Sequence, residues 1–415
     1  MNRNSLPRWI NSLIDRIADS PTSLIGQIAA RRLGAPAPDG TVPSVSFDDR
    51  PVRVLIAPVN YSGQGRAWAR ALEAADPAIS ARNMAVDVPG GFAFESDLVV
   101  PVGTYHNGTE WQGRQFEAAA SATHVLIEAE EPPFGRLLGR SVAAQTEALL
   151  QRGVDVAFLA HGTDVRLPSR HIAGNRWSHY ADAGVYAPRD ETIAARNIRF
   201  LEASGRPVFV STPDLLLDIP SAHWCPVVVD PPRWAAQRGE RRPGPLRVAH
   251  APSVSVIKGT QMIMPALQNL EAEGVIALRL IQGVSSAEMP KAFADADVVI
   301  DQMRIGSYGV AACEALASGC VVVGHLNPQV RDTVLAQTGS EVPLVEADPE
   351  TLDEVIRDLA TRLARDDLEP LQRTGVEFAH DVHDGRRSAR VLEEHWIGRS
   401  AGPHQEGGGE RASRS

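Results

Sequence analysis

Apolar residues in this chain gather in short continuous runs, and the segments between the runs show helical spacing. The run Val52–Ala57 reads as a buried strand, and further strands are predicted at 84–88, His124–Glu128, 154–160, 207–211 and 226–229. Helical patterns lie between them, at 66–75 and 141–152. Strands without polar alternation, separated by helices, predict a parallel sheet covered on both faces. A second series repeats this architecture without repeating the sequence. Its predicted strands are 246–250, 276–282, 297–301 and 320–324, and its helices 259–273, 286–294, 309–318 and about 350–365, the last opened by Asp348 or Thr351 as N-cap. Between the two series, 230–245 is loaded with Pro, Gly and Arg and reads as a linker.

The ends differ from the body. Residues 8–18 place Trp9, Ile10, Leu13, Ile14 and Ile17 on one helical face, followed by Leu24, Ile25 and Ile28. Such a helix either packs on the body or lies on a membrane surface through residues 8–28. The net charge of +3 over residues 1–32 is a weak membrane signal, which favours packing. Residues 34–50 read as linker, a final helix covers 384–396, and 399–415 have the composition of a disordered tail. The expected organisation is therefore a helix and linker over 1–50, one domain over 51–232 and a second over 246–383. A C-terminal helix over 384–398 is expected to cross back to the first domain.

At 415 residues, two to four domains are expected. The formal net charge of −10 argues against a general nucleic-acid binder, because phosphate contacts need a basic surface. Cys225, Cys313 and Cys320 have no CxxC or Cys/His company, so neither a disulfide framework nor a structural zinc site is expected, and a reducing cytoplasm fits. No apolar run approaches the ~18–20 residues of a membrane span, and Asp15 and Arg16 interrupt the N-terminal apolar stretch, unlike a signal peptide.

The most informative segment is 297–325. A strand ends at Ile300 or Asp301, a loop with Gly306, Ser307, Tyr308 and Gly309 follows, and a helix starts near Val310 with Glu314 in its first turns. A Gly-rich loop feeding a helix N-terminus presents free N–H groups and a positive dipole end, which suits a diphosphate. Glu314 is then placed to accept from vicinal ribose hydroxyls. The same pattern also occurs in ordinary strand–loop–helix units. At 246–260, a strand is followed by Ser253, Ser255 and Lys258 at a helix start, where a Lys neutralises leaving-group charge or is a solvated surface residue. His161 and Asp164, in HGTDVR at 161–166, follow a strand at its carboxyl end, where open α/β sheets bind ligands; Asp164 alternatively caps its loop. The loop 60–65, with Gly63 and Gly65, is a weaker signal.

Residues 307–322 resemble the signature E-x-F-G-x-x-x-x-E-A-x-A-x-G-x-P-V of family 4 retaining glycosyltransferases. Ser307, Tyr308, Gly309, Glu314, Ala315, Ala317, Gly319 and Val321 or Val322 match, but Gly306 stands where the first Glu is expected. In the family that Glu contacts the donor sugar; Asp301 or Gln302 are the residues placed to compensate. Lys258–Gly259 match the end of G-R-x-x-x-x-x-K-G, with Pro252 in place of the Arg. HGTDVR is similar to the His-Gly-Ser/Thr-Asp segment whose His faces the cleft, 60–65 to the Gly-rich first loop, and 211–215 with 226–230 to the last strand and loop before the crossover, expected to be structural. The resemblance covers about 52–397 and implies an α/β protein of GT-B fold, two facing Rossmann-like domains with parallel sheets. It implies that a sugar moves from a nucleoside diphosphate (UDP or GDP) to a carbohydrate, lipid-linked or small-molecule acceptor hydroxyl, with retention and without metal or other cofactor. On that implication His161, Asp164 and Lys258 are the catalytic candidates. Gly63, Gly65, Ser253, Ser255, Lys258, Ser307, Tyr308, Gly309, Val310 and Glu314 are the donor-binding candidates.

Two signals are discounted. Asp295-Ala296-Asp297 has the D-x-D form of a metal motif but reads as helix-end punctuation, and HDVH at 380–383 has no standard ligand spacing and reads as a solvated loop. The absence of GxGxxG weighs against a dehydrogenase. Two rivals stay open, a non-catalytic homologue that binds or scaffolds and a nucleotide-sugar epimerase on the same fold.

Overall fold

Seven strands make the first sheet: β1 (Val52–Ala57), β2 (Ile79–Asp87), β3 (Leu98–Pro101), β4 (His124–Glu128), β5 (Asp155–Ala160), β6 (Val208–Val210) and β7 (His223–Trp224). They run parallel in the order β3-β2-β1-β4-β5-β6-β7. The second sheet, also parallel, has β8 (Leu246–His250), β9 (Ile276–Leu280), β10 (Val298–Ile300), β11 (Val321–Gly324) and β12 (Leu344–Glu346) in the order β12-β11-β10-β8-β9. These come from a computed structural model that describes residues 34–88, 94–239, 243–252 and 255–399. The predicted helix at 8–18, Ser253 and the tail from 400 onward lie outside the described residues.

Continuous apolar runs became central strands because both faces are covered: every residue of β4 and of β11 is buried. The first sheet carries α1 (Gln64–Ala75), α2 (Val102–Asn107), α3 (Thr109–Ala119), α4 (Val142–Gln151), α5 (Pro168–Gly174) and α6 (Ala187–Ser204). A crossover helix, α7 (Pro231–Ala235), leads to the second unit, with α8 (Ser255–Lys258), α9 (Thr260–Ala272), α10 (Met289–Ala294), α11 (Val310–Ala317), α12 (Pro328–Thr338), α13 (Leu352–Ala364) and α14 (Glu369–His383). The last helix, α15 (Arg386–His395), puts Ala389 and Leu392, with the following Trp396, into the cluster formed by Ile56, Trp68 and Leu72 of the first unit.

Several segments differ from their sequence reading. Residues 226–229 form no strand, because their polar groups are claimed elsewhere: Trp68 Nε1 donates to Pro226 O at 2.9 Å and Val229 N to His383 O at 2.8 Å. HDVH at 380–383 ends α14 instead of forming a solvated loop; His383 is buried between Val227 O (2.8 Å) and the Tyr308 hydroxyl (3.3 Å). The segment 230–245 is partly ordered helix, since Asp230 caps α7 through Arg233 N at 3.3 Å and Trp234 is buried against Phe293. Residues 34–50 are pinned along the first unit, with Val45 N bonded to Gln115 Oε1 and Trp111 Nε1 to Pro43 O. Among the described residues no helix is long and apolar enough to cross a membrane.

Candidate active site

Each sheet reverses its winding once, between β1 and β4 in the first and between β8 and β10 in the second. Ligands of open α/β sheets bind outside the strand carboxyl ends at such switch points. In this chain a polar contact spans each one. Across the second, Lys258 Nζ, at the end of the short helix α8 that follows β8, pairs with Asp301 Oδ1 just after β10; the two side chains are 13% and 1% exposed. Across the first, Asn60 N donates to Glu128 Oε2 at 3.2 Å.

The second switch point collects charge. Desolvation pushes the half-buried Glu314 carboxyl up to about 8, while Arg233 and Lys258 pull it down and Asp301 adds to the rise. Those four side chains therefore act on one recess. The carboxylate of Glu314 has no hydrogen-bond partner among the described residues, and Asp301 Oδ2 and Gln302 Oε1 are buried without one. Unpaired buried polar atoms call for an explanation such as an absent ligand. Gly309 is the N-cap of α11, and the space beside its Cα is open. At this helix start the N–H groups of Val310 and Ala311 have no intrahelical acceptor, whereas those of Ala312 and Cys313 bond Gly309 O. Arg233 also lines a neighbouring cavity of about 670 Å³ with Arg279, Gly283, Val284 and Lys291.

Lys258, Gly309, Val310 and Glu314 are thus brought together as the sequence predicts, and Ser255 opens the short helix that ends on Lys258. Tyr308 is a correction: its side chain is buried, packed on Phe378 and His383, and turned into the core. Ser307 is buried and its carbonyl accepts from Gln302 Nε2. That bond engages Gln302 Nε2, and Lys258 engages Asp301 Oδ1, so the atoms left to stand in for the signature's first Glu are Gln302 Oε1 and Asp301 Oδ2. Gly306, at φ +71°, faces Asn175 Nδ2 and Asn327 Cβ, each 3.4 Å from where a Cβ would sit. The position that corresponds to the first Glu of the signature this segment resembles is therefore backed by an amide from the opposite unit.

At the first switch point, His161 Nε2 lies 3.1 Å from Glu128 Oε1, and its ring packs on Tyr61 and Trp68. Asp164 caps its own loop, accepting from His161 N (2.8 Å) and Gly162 N, the plainer of its two readings. A Cβ on Gly65 would lie 3.1 Å from Glu128 Oε2, so the glycine admits that carboxylate. Gly63 is a left-handed N-cap of α1. Asp214, in the segment 211–215 read as structural, pairs with buried Arg166 at 2.7 Å. Asp295 caps the end of α10, and buried Asp297 holds Arg247 at 2.7 Å.

Sequence reading missed three residues. Arg233 sat inside a presumed linker, although Asp-Pro-Pro is a helix-start signal. Glu128 ends a correctly placed strand at a switch point, which only the strand order reveals. Arg304 reaches across the units, bonding Asp182, Trp177 O and Ser178 O.

Comparison with known proteins agrees at the level of fold. No protein-family model and no curated protein matches the chain. Among solved structures it is similar to sucrose-phosphate synthase from Thermosynechococcus elongatus, with TM-score 0.56 and 13% identity over 85% of this chain and 100% of that one. It is similar to an alpha-glucosyltransferase in complex with UDP, with TM-score 0.53 and 10% identity over 84% and 99% of the two chains. The same kind of enzyme in complex with UDP-glucose and DNA containing an abasic site matches with TM-score 0.51 and 10% identity, over 83% and 98%. Two parallel sheets of seven and five strands with these neighbours define the GT-B fold.

Proposed function

We propose that the protein is a glycosyltransferase that moves a sugar from a nucleoside diphosphate to an acceptor, with retention of configuration. The observation that carries this is the recess of Lys258, Arg233, Asp301 and Glu314 at the second switch point, against the open N-terminus of α11. In this reading Glu314 accepts from the ribose hydroxyls and the base lies toward Gly283 and Val284. The diphosphate is met by Lys258 and the N–H groups after Gly309. Preorganised charge of that kind stabilises the leaving group as it departs. Arg233 supplies the second cation that Pro252 cannot. The acceptor enters over the first switch point, where Glu128 fixes the His161 ring. Neighbours captured with UDP and UDP-glucose support the donor class.

One observation favours a second reading. Gly306 offers the donor sugar no side chain, and Asn175 and Asn327 close in behind it. A homologue that binds nucleotide without turnover would look the same. Calorimetry with UDP, GDP and their sugars, followed by donor-consumption assays with and without an acceptor panel, tests both. Binding with consumption only when acceptor is present supports transfer. Binding without consumption supports the second reading, and no binding to any nucleotide overturns both.

A further inference from the structure

The buried carboxylate at the first switch point decides the tautomer of the histidine beside it. Glu128 is fully buried, its Oε2 accepts from Asn60 N at 3.2 Å, and its Oε1 lies 3.1 Å from His161 Nε2. A carboxylate only accepts, so in the neutral ring Nε2 carries the hydrogen and Nδ1 the lone pair. His161 Nδ1 has no hydrogen-bond partner among the described residues. Nor is it one of their unpartnered polar atoms closed off from solvent, and the side chain is 11% exposed. The free lone pair therefore opens to solvent at the carboxyl end of β5, the side on which open α/β sheets bind ligands.

The ring is held in that orientation. Tyr61 meets it edge-on, 5.2 Å between centroids, and Trp68 packs on it at 5.7 Å. Its backbone is fixed as well: His161 N donates to Asp164 Oδ2 at 2.8 Å, and Ser211 Oγ donates to His161 O at 3.4 Å. The other titratable groups of this recess are Tyr61, Asp164, Glu130 and Glu131, with Arg166 beside Gly162. Arg166 is paired with Asp214 at 2.7 Å and Arg140 with Glu131 at 3.6 Å, so the charges facing an imidazolium are the carboxylates of Glu128 and Asp164. Desolvation pushes the Tyr61 hydroxyl up to about 12, with Glu131, Asp164 and Glu128 adding to the rise, so it keeps its own proton.

We propose that Glu128 and His161 form a proton-accepting dyad for the acceptor hydroxyl, with Nδ1 as the base. Nδ1 takes the hydroxyl hydrogen while the acceptor oxygen bonds to the anomeric carbon. The bond from that carbon to the diphosphate breaks, and the nucleotide leaves with the electron pair. Nδ1 then gives the proton to solvent and the ring returns to neutral. Glu128 is a positioning residue: it fixes which nitrogen is free and faces the imidazolium as a counter-charge, without taking the proton itself. The inference rests on the transfer reading for its acceptor, and not on which face of the sugar is attacked.

Two measurements on the full chain test it. Nitrogen NMR of the histidine rings at neutral pH should find the His161 hydrogen on Nε2. This is read in the unsubstituted protein, so a folding defect in a variant leaves it intact. The second is the rate of donor consumption, with UDP-glucose or GDP-mannose as donor and free hexoses, glycerol and inositol as the acceptor panel, followed from about pH 5 to pH 9. The rate should show an acid limb, because a protonated ring cannot take a proton. His161→Gln should lower kcat by about 100-fold or more, the scale of general-base catalysis, and erase the limb. Glu128→Gln should lower kcat and move the limb down by about one pH unit or more, because a counter-charge is lost, with nucleotide affinity in calorimetry unchanged. A hydrogen on Nδ1 overturns the proposal, as does a limb that survives in His161→Gln or stays in place in Glu128→Gln. Nucleotide binding with no consumption of either donor also overturns it. Failure to bind either nucleotide overturns the transfer reading and the proposal with it.

Discussion

Arg304 of the second unit and Asp182 of the first face each other as a two-pronged ion pair, with Nη1 and Nη2 each 2.6 Å from a carboxylate oxygen. The guanidinium is buried and also donates to Trp177 O and Ser178 O, while Asn175 Nδ2 returns a bond to Arg304 O at 2.9 Å. A bidentate pair with its remaining donors satisfied is a clasp between the two halves of the cleft.

Opening that clasp should be measurable. Asp182→Asn should cost about 1 kcal/mol in urea unfolding, a small figure because Asp182 is 41% exposed on its side chain. Arg304 holds the Asp182 carboxyl below its ordinary range, so the pair's contribution is present above the unfolded value near 3.8 and is lost as pH falls below it. Small-angle scattering should show a larger radius of gyration for Arg304→Ala than for the parent. An unchanged radius would remove the clasp from consideration.

Glu314 carries the opposite sign. Its carboxyl is raised to about 8, so the stability it lends is present below the unfolded value near 4.5 and is lost as pH rises through 8. Glu314→Gln should match the parent at pH 4 and be the more stable of the two at pH 9. The same substitution should weaken UDP binding by about 1 kcal/mol or more, since the carboxylate that would accept from both ribose hydroxyls cannot form. Equal affinity in the folded variant would refute the ribose role.

Lys258 separates structure from chemistry. Lys258→Met strands Asp301, which is 1% exposed, and should cost about 3 kcal/mol of stability. Adding Asp301→Asn should return most of that stability, yet sugar transfer should stay down by about 100-fold or more in both variants. Recovery of transfer in the double variant would assign Lys258 a purely structural role.

Placing a Glu at 306, as in the signature that the segment resembles, should not raise turnover. Gly306 has φ +71°, and a side chain there meets Asn175 and Asn327. Gly306→Ala should cost about 1–2 kcal/mol from backbone strain alone, and Gly306→Glu more, read as a lower Tm. A stable Gly306→Glu protein with raised turnover would show that the gap is filled only in the resting state.

The legible parts of the fold were those where local pattern and tertiary demand coincide. β1, β4 and β8 fall on the predicted residues because central parallel strands are apolar on both faces. α14 did not announce itself. It contains Gly375, an unfavourable helix residue retained because a Cβ there would lie 2.8 Å from Leu316 Cδ2. In the site, Lys258 and Glu314 were readable because motif spacing on consecutive elements places them. Arg233 and Glu128 were not, because their partners are set by strand order and by the crossover. Tyr308 was misread for the converse reason: a motif position fixes the backbone, while the core decides where the side chain goes.

The bond from Val229 N to His383 O, 2.8 Å, marks the place where the chain departs from the first unit and the place where it comes home. Since α15 completes the first unit's core, the second unit is an insertion with its entry and exit side by side. The hinge is consequently a double tether. Cutting the chain near 240 would leave the halves joined by the returning segment, and any swing of the second unit must pivot about that shared seam. The order in which the halves are finished also follows. The second unit can be complete on emerging from the ribosome while the first still waits for its last helix.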